Sequence, residues 1–219
     1  MNGVKRFAND DQVQPRPGVP VVREMTTGRL SALTGGEDVF GLLAKECGLD
    51  DVRGVSPDGL QERYLYSPDM KYRYAFGRWW GDESLCTTTA WVGLNPATGD
   101  SEGRRRPTLD RCIAWSKSWN STGLVIVNLF AHRHTDPKTL KSAADPVGPH
   151  NDRALVALSQ ACESTVAAWG AHGRRGDRST AVRALLADLD CLGTTKRGEP
   201  QHPLYVPATA ERVALSHLS

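Results

Sequence analysis

A chain of 219 residues is long enough to bury the core of one catalytic-sized domain. Its net charge of +2 divides into 7 Lys and Arg against 10 Asp and Glu over residues 1–62 and 20 against 15 beyond. That surplus is modest for a duplex-binding surface, where affinity grows with the phosphates neutralised, so it permits nucleic acid without demanding it and suits a nucleotide-sized partner equally well. Five widely spaced cysteines without a Cys-x-x-Cys pair (Cys47, Cys86, Cys112, Cys162, Cys191) argue against a zinc knuckle or a disulfide scaffold. With no signal-peptide stretch and no run of roughly 18 apolar residues, they point to a cytoplasmic protein without a membrane partner.

Residues 1–20 mix charge with Pro15, Pro17 and Pro20 and predict a disordered or draped arm. It opens an N-terminal extension over 1–60, ahead of an α/β domain over 61–219. Phe40, Leu42, Leu43 and Ala44 predict one short helix between Val39 and Leu49, closed near Gly48. Period-two alternation in Tyr64-Leu65-Tyr66 and in Tyr72 to Phe76, around Ser67-Pro68-Asp69, predicts a hairpin. Thr87 to Leu94 reads as a buried strand. Thr108 is placed to cap a helix running to about Trp119, with Leu109, Cys112, Ile113 and Trp115 facing a core. Leu124 to Leu129 predicts a second buried strand, and Asp136-Pro137 a short helix with Pro at its first position. A further helix runs from near Pro149 to Cys162, a strand from Thr165 to Trp169, a helix from about Ser179 to Leu189, and a last strand begins at Cys191-Leu192. Strands alternating with helices imply a three-layer α/β/α sandwich around a central, mostly parallel sheet.

Three segments carry chemistry: Gly93-Leu94-Asn95-Pro96, Val125-Ile126-Val127-Asn128 and Gln201-His202-Pro203-Leu204-Tyr205. Each sets a polar side chain where an apolar run ends, at a strand's carboxyl end or in the loop after it, the edge at which open α/β sheets bind ligands. Two amides and an imidazole gathered there suit a planar hydrogen-bonding group such as a nucleobase. Arg104, Arg105 and Arg106, beside the first segment, are candidates for a phosphate. Gly170-Ala171-His172-Gly173-Arg174-Arg175-Gly176, between a strand and a helix, offers backbone amides to an anion. His132 and His134, even with His172, lack an acidic partner, so no metal and no other cofactor is expected. Asp100, Asp110 and Asp136 include helix-start residues, with Asp100 the first replacement should Asn95 prove inert. Trp79, Trp80 and Trp91 read as packing residues.

The region from about Tyr64 to Val206 resembles a bacterial family catalogued as domain of unknown function 1643. The matching segments are Tyr72-Arg73-Tyr74, Leu94-Asn95-Pro96, Asn128-Leu129-Phe130, Asp145-Pro146-Val147-Gly148-Pro149, Ala168-Trp169-Gly170 and His202-Pro203-Leu204-Tyr205. The order of Gly-Leu-Asn-Pro, a strand ending in Asn, a Trp-Gly turn and a final His-Pro also resembles the uracil-DNA glycosylase superfamily. That resemblance implies a uracil-DNA-glycosylase-like fold and an N-glycosidase acting on a pyrimidine-type nucleoside, nucleotide or single-stranded nucleic acid. It makes Asn95 and His202 catalytic, Asn95 orienting the attacking water and His202 donating to the base oxygen, while Asn128 reads the base edge. Pro96, Phe130, Arg104, Arg105, Gly170 and Tyr205 complete the substrate-binding set, with Phe130, Trp115 and Tyr205 the candidates to stack on the base. Arg106 stands where the family carries an acid before Pro107-Thr108, and no wedge loop for duplex DNA follows His202. The alternative is a nucleotide- or nucleic-acid-binding module of the same fold without chemistry. Protein partners stay unassigned.

Overall fold

The structure is a computed structural model that describes residues 38–96, 106–134 and 143–218. These fall within one compact unit, Leu33–Ser219. The predicted arm, Asp100, Arg104, Arg105 and the helix expected at Asp136-Pro137 lie outside the described residues.

The chain opens with α1 (Val39–Cys47), where Asp38 accepts from the Gly41 amide at 3.1 Å and Gly48, left-handed at φ 62°, ends the helix as expected. Strand β1 (Asp50–Val55), not expected from the sequence, pairs antiparallel with β2 (Gln61–Tyr66), which forms the predicted hairpin with β3 (Arg73–Trp79). Then come β4 (Thr88–Gly93), α2 (Pro107–Ser118), β5 (Gly123–Asn128), α3 (Asn151–Ala161), β6 (Ser164–Ala167), α4 (Arg178–Leu185), β7 (Leu189–Cys191) and β8 (Val213–Ala214). Two boundaries differ from expectation. Helix α2 starts two residues early because Pro107, its φ fixed by the ring, takes the first position, so Arg106 precedes it and Thr108 is not the cap. Helix α4 ends at Leu185 because Leu186 is extended and Asp188 is left-handed (φ 54°), which releases Leu189 into β7.

One eight-stranded sheet has the order β1-β2-β3-β5-β4-β6-β7-β8. The expectation of a mostly parallel sheet is corrected here. β5, β4, β6 and β7 are parallel, but β1–β2, β2–β3, β3–β5 and β7–β8 are antiparallel. Helix–strand alternation signals only the crossover-linked part, whereas a hairpin adds strands to an edge without any crossover.

Alternation along the strands sorts the core. Tyr64, Tyr66, Phe76, Trp91 and Leu124 cluster with Leu109, Cys112 and Trp115 of α2. Leu65, Ala75, Ala90, Val92 and Val125, each at 0 % exposure, point to the other face, where α3 touches both α1 and α4. From β4 the chain steps to β5 on one side, then crosses back to β6 on the other side of β4. The crevice outside the carboxyl ends of β4 and β6 is therefore the point at which the winding reverses.

Trp79 couples the hairpin to this parallel region. Its indole donates to Thr88 Oγ1 at 3.2 Å and lies flat over two glycines. A Cβ on Gly77 would come within 2.1 Å of the ring, and one on Gly123 within 2.3 Å. Gly77→Ala and Gly123→Ala should each destabilise by at least about 1–3 kcal/mol in urea unfolding, as overpacking does. Gly54→Ala, whose Cβ would meet Tyr64 at an ordinary 3.7 Å, should stay near wild type.

Candidate functional site

Registers fix where the first two segments and the Trp-Gly turn leave the sheet. Gly93 pairs with Asn128, and Val92 pairs with Ala167 on the other side of β4. Asn95 and Gly170 each lie three residues beyond the pair Val92–Ala167, so they leave adjacent strands at the same level, on the two sides of the reversal point.

The loops after β4 and β5 are clamped together. Leu129, Phe130 and His134 amides donate to Gly93, Leu94 and Pro96 carbonyls at 2.9, 3.0 and 3.1 Å. Asn95 adds a side-chain clasp, its Nδ2 donating to the carbonyls of His134 at 2.8 Å and Pro96 at 3.2 Å. Those bonds fix the amide's orientation and leave Oδ1 as its remaining polar atom. Pro96 is buried and Phe130 is 3 % exposed, so both pack the loop.

Asn128 is 3 % exposed, and its Nδ2 has no hydrogen-bond partner among the described residues. Its Oδ1 occupies the space a side chain on Gly93 would take, 2.7 Å from an ideal Cβ there. Glycine at position 93 therefore makes room for the amide.

His202 follows a different constraint. Its Nδ1 accepts from the Leu204 amide at 3.3 Å, capping a short 3₁₀ turn over Pro203–Tyr205. That bond selects the neutral tautomer with its proton on Nε2. Burial lowers the imidazole's pKa below its ordinary 6.5, again favouring the neutral ring. Gly170, at φ 72° and ψ −175°, adopts a conformation essentially restricted to glycine. A Cβ there would lie 3.1 Å from His202 Cβ, and the Gly170 amide donates to Pro200 at 3.0 Å. The Trp-Gly turn and the His202 segment are thus in contact.

Residues that sequence reasoning missed hold this arrangement. Glu199, 6 % exposed, accepts from Trp169 Nε1 at 2.8 Å and Ser179 Oγ at 3.1 Å, with Arg183 4.0 Å away. Asn151, at 0 % exposure, donates from Nδ2 to the Asn128 and Leu129 carbonyls at 3.0 Å each, and Arg178 Nε donates to Leu129 at 2.8 Å. Asp145 accepts from the Val147 and Gly148 amides, while its own carbonyl accepts from Tyr72. A lone acid before Pro200 and an Asn opening a helix have no distinguishing pattern; only the matched Asp-Pro-Val-Gly-Pro segment carried a signal.

Other candidates fall elsewhere. Arg106 lies over Phe76, 5.5 Å from the ring centroid, and Trp115 is buried beside Trp91 in the core. His132 and His134 stack at 5.3 Å, His172 is exposed, and no group of three or more His, Cys, Asp or Glu able to hold a metal occurs among the described residues. All five cysteines are free thiols, and no helix among the described residues is long and apolar enough to cross a membrane. A cavity of about 490 Å³ at the start of β7, lined by Leu186, Leu189 and Leu215, lies away from the strand carboxyl ends.

Residues 73–204 match the model of a family described as a protein of unknown function, DUF1643. The chain belongs to this family. No curated protein and no solved structure matches it. The DUF1643 match contains β3 through the His202 turn, and with them Asn95, Asn128, Gly170, Glu199 and His202; Tyr205 lies one residue beyond.

Two measurements address the geometry. Because the folded-state pKa of His202 is depressed, its stabilising contribution is complete above pH 6.5 and is lost as pH falls through the lower folded value. An NMR titration should place its midpoint below 6.5, and His202→Gln should flatten the loss of stability on the acid side; a midpoint at or above 6.5 contradicts the half-buried neutral ring. Gly93→Ala should destabilise by about 1–3 kcal/mol in urea by displacing the Asn128 amide, and Gly93→Ala/Asn128→Ala should recover most of that.

Proposed function

We propose that this protein is a cytoplasmic hydrolase of N-glycosidic bonds with a uracil-DNA-glycosylase-like three-layer α/β/α architecture. Its substrate is a pyrimidine-type nucleoside, nucleotide or single-stranded nucleic acid, and in this reading Asn95, Asn128 and His202 are the groups that act on its base. The observation that carries this reading is the buried Asn128 amide, whose Nδ2 has no partner among the described residues, at the carboxyl end of the strand paired with β4, whose other neighbour is β6. An unpaired buried amide costs about 1–3 kcal/mol, and a heterocycle edge with adjacent acceptor and donor would use both of its polar atoms.

The remaining groups have matching roles. Breaking the base–sugar bond leaves negative charge on the departing base. A neutral His202 with its proton on Nε2 donates to the base carbonyl as that charge grows, and lowers the barrier. Asn95, fixed through its NH₂, presents Oδ1 to orient a water toward the sugar carbon. The water adds to that carbon, the bond to the base nitrogen breaks, and the base departs with the electron pair and takes up a proton. An amide is a poor base, so turnover is slow. The alternative, binding without chemistry, is favoured by the residue before Pro107: it is Arg106, where the family resemblance implies an acid.

Chromatography of free base released from a panel of pyrimidine nucleosides, nucleotides and modified single-stranded oligonucleotides tests the proposal. Wild type should release base, and His202→Ala should lower kcat by about 10²–10³-fold, as loss of one aimed donor does. Asn95→Ala should abolish release, and Asn128→Leu should chiefly raise KM. Calorimetric binding without any release at high enzyme concentration would replace the hydrolase with the binding module.

A further inference from the structure

Tyr205 is the most exposed large apolar residue among those described, at 81 %, and its neighbour Leu204 is 40 % exposed. The turn that carries them is anchored on both flanks. Pro203 and Val206 are buried, His202 caps the Leu204 amide, the Tyr205 amide donates to the His202 carbonyl at 2.9 Å, and Arg111 holds the Val206 carbonyl. The phenol ring lies 5.7 Å from the His202 ring, centroid to centroid. An aromatic face is thus held open to solvent beside the imidazole.

On the other side of His202, Gly170 leads into the turn Ala171–Asp177, where Arg174 donates to the Arg197 carbonyl at 3.3 Å. Arg174, Lys196 and Arg197 are exposed, with Arg175 partly so, and none of the four forms an ion pair among the described residues. Asp177 is the one exposed acid in these two segments, since Glu199 is buried. A flat ring beside His202, and exposed basic side chains on the turn that follows Gly170 and on the segment it contacts, match the two repeating parts of a polynucleotide strand, base face and phosphate. A mononucleotide would use neither in full, and a duplex hides its base faces in the stack.

We propose that the substrate is a single-stranded nucleic acid, with the base flanking the one at Asn128 stacked on Tyr205 and the backbone led across Arg174 and Arg197. This rests on the base-binding reading of Asn128 given above. Stacking on an aromatic side chain is tolerant of sequence, so the platform adds affinity without choosing the base.

Fluorescence anisotropy with the full chain and a labelled twelve-residue oligothymidylate tests it, with thymidine monophosphate and a duplex of the same length as competitors. The oligothymidylate should bind at least about ten-fold more tightly than the mononucleotide, and the duplex should compete poorly. Tyr205→Ala should weaken oligothymidylate binding by about 5- to 100-fold, whereas Tyr205→Trp retains it. Arg174→Ala/Arg197→Ala should reduce the log–log salt slope by about 1.4, two phosphates at about 0.7 each. The inference is overturned if the oligothymidylate does not bind, if Tyr205→Ala binds it as tightly as wild type, or if thymidine monophosphate competes equally well. Tyr205-dependent binding without base release keeps this inference and removes the hydrolase. Base release from mononucleotides, with the oligomer bound no more tightly than the monomer, does the reverse.

Discussion

The site depends on one buried carboxylate. Glu199 takes hydrogen bonds from the Trp169 indole and the Ser179 hydroxyl, with the Arg183 guanidinium at the margin of ion-pair distance. Removing a carboxylate from water is costly unless charge and hydrogen bonds compensate it. Here the compensating groups come from the loop after β6 and from α4, while Glu199 itself lies on the chain leading to His202. Satisfying Glu199 therefore draws three separate segments together and sets the Trp-Gly turn against the imidazole. Together with the Gly170–Pro200 hydrogen bond and the Arg111 bond to the Val206 carbonyl, it fixes the His202 ring relative to the sheet edge.

The parallel strands supply the second fixed element. β4 lies between β5 and β6, so the loops after three strands rise from one edge, and three backbone hydrogen bonds with the side-chain clasp of Asn95 hold the first pair of loops together. The Asn128 amide is built into this edge with its oxygen in the space left by Gly93. Rigidity of this kind suits recognition of a flat ligand, because hydrogen-bonding groups already in place need no ordering when the ligand arrives.

The same residues serve as scaffold and as candidate chemistry. Asn95 holds a loop with its nitrogen and offers its oxygen, while His202 caps a turn through one ring nitrogen and keeps a proton on the other. In each case the structural bond chooses the orientation or tautomer of the group that would act, so substitution alters both. Conservative variants and separate readouts of stability and binding are therefore the informative ones.

The sequence by itself determined the hairpin at Tyr64–Phe76, the helices near Val39 and Asn151, and the strands ending at Gly93 and Asn128. Each is written in local periodicity and punctuation, which short-range sterics and burial enforce. It also determined which polar residues end those strands. Only the tertiary structure decided that the sheet is mixed, because pairing of β3 with β5, and the recruitment of β1 and the two-residue β8, depend on contacts distant in sequence. Likewise, only folding brought Glu199 to Trp169 and Ser179, set Gly93 under the Asn128 amide and turned Tyr205 outward. No local pattern encodes a hydrogen bond across 30 residues, because its partners are chosen by where the strands and loops come to rest.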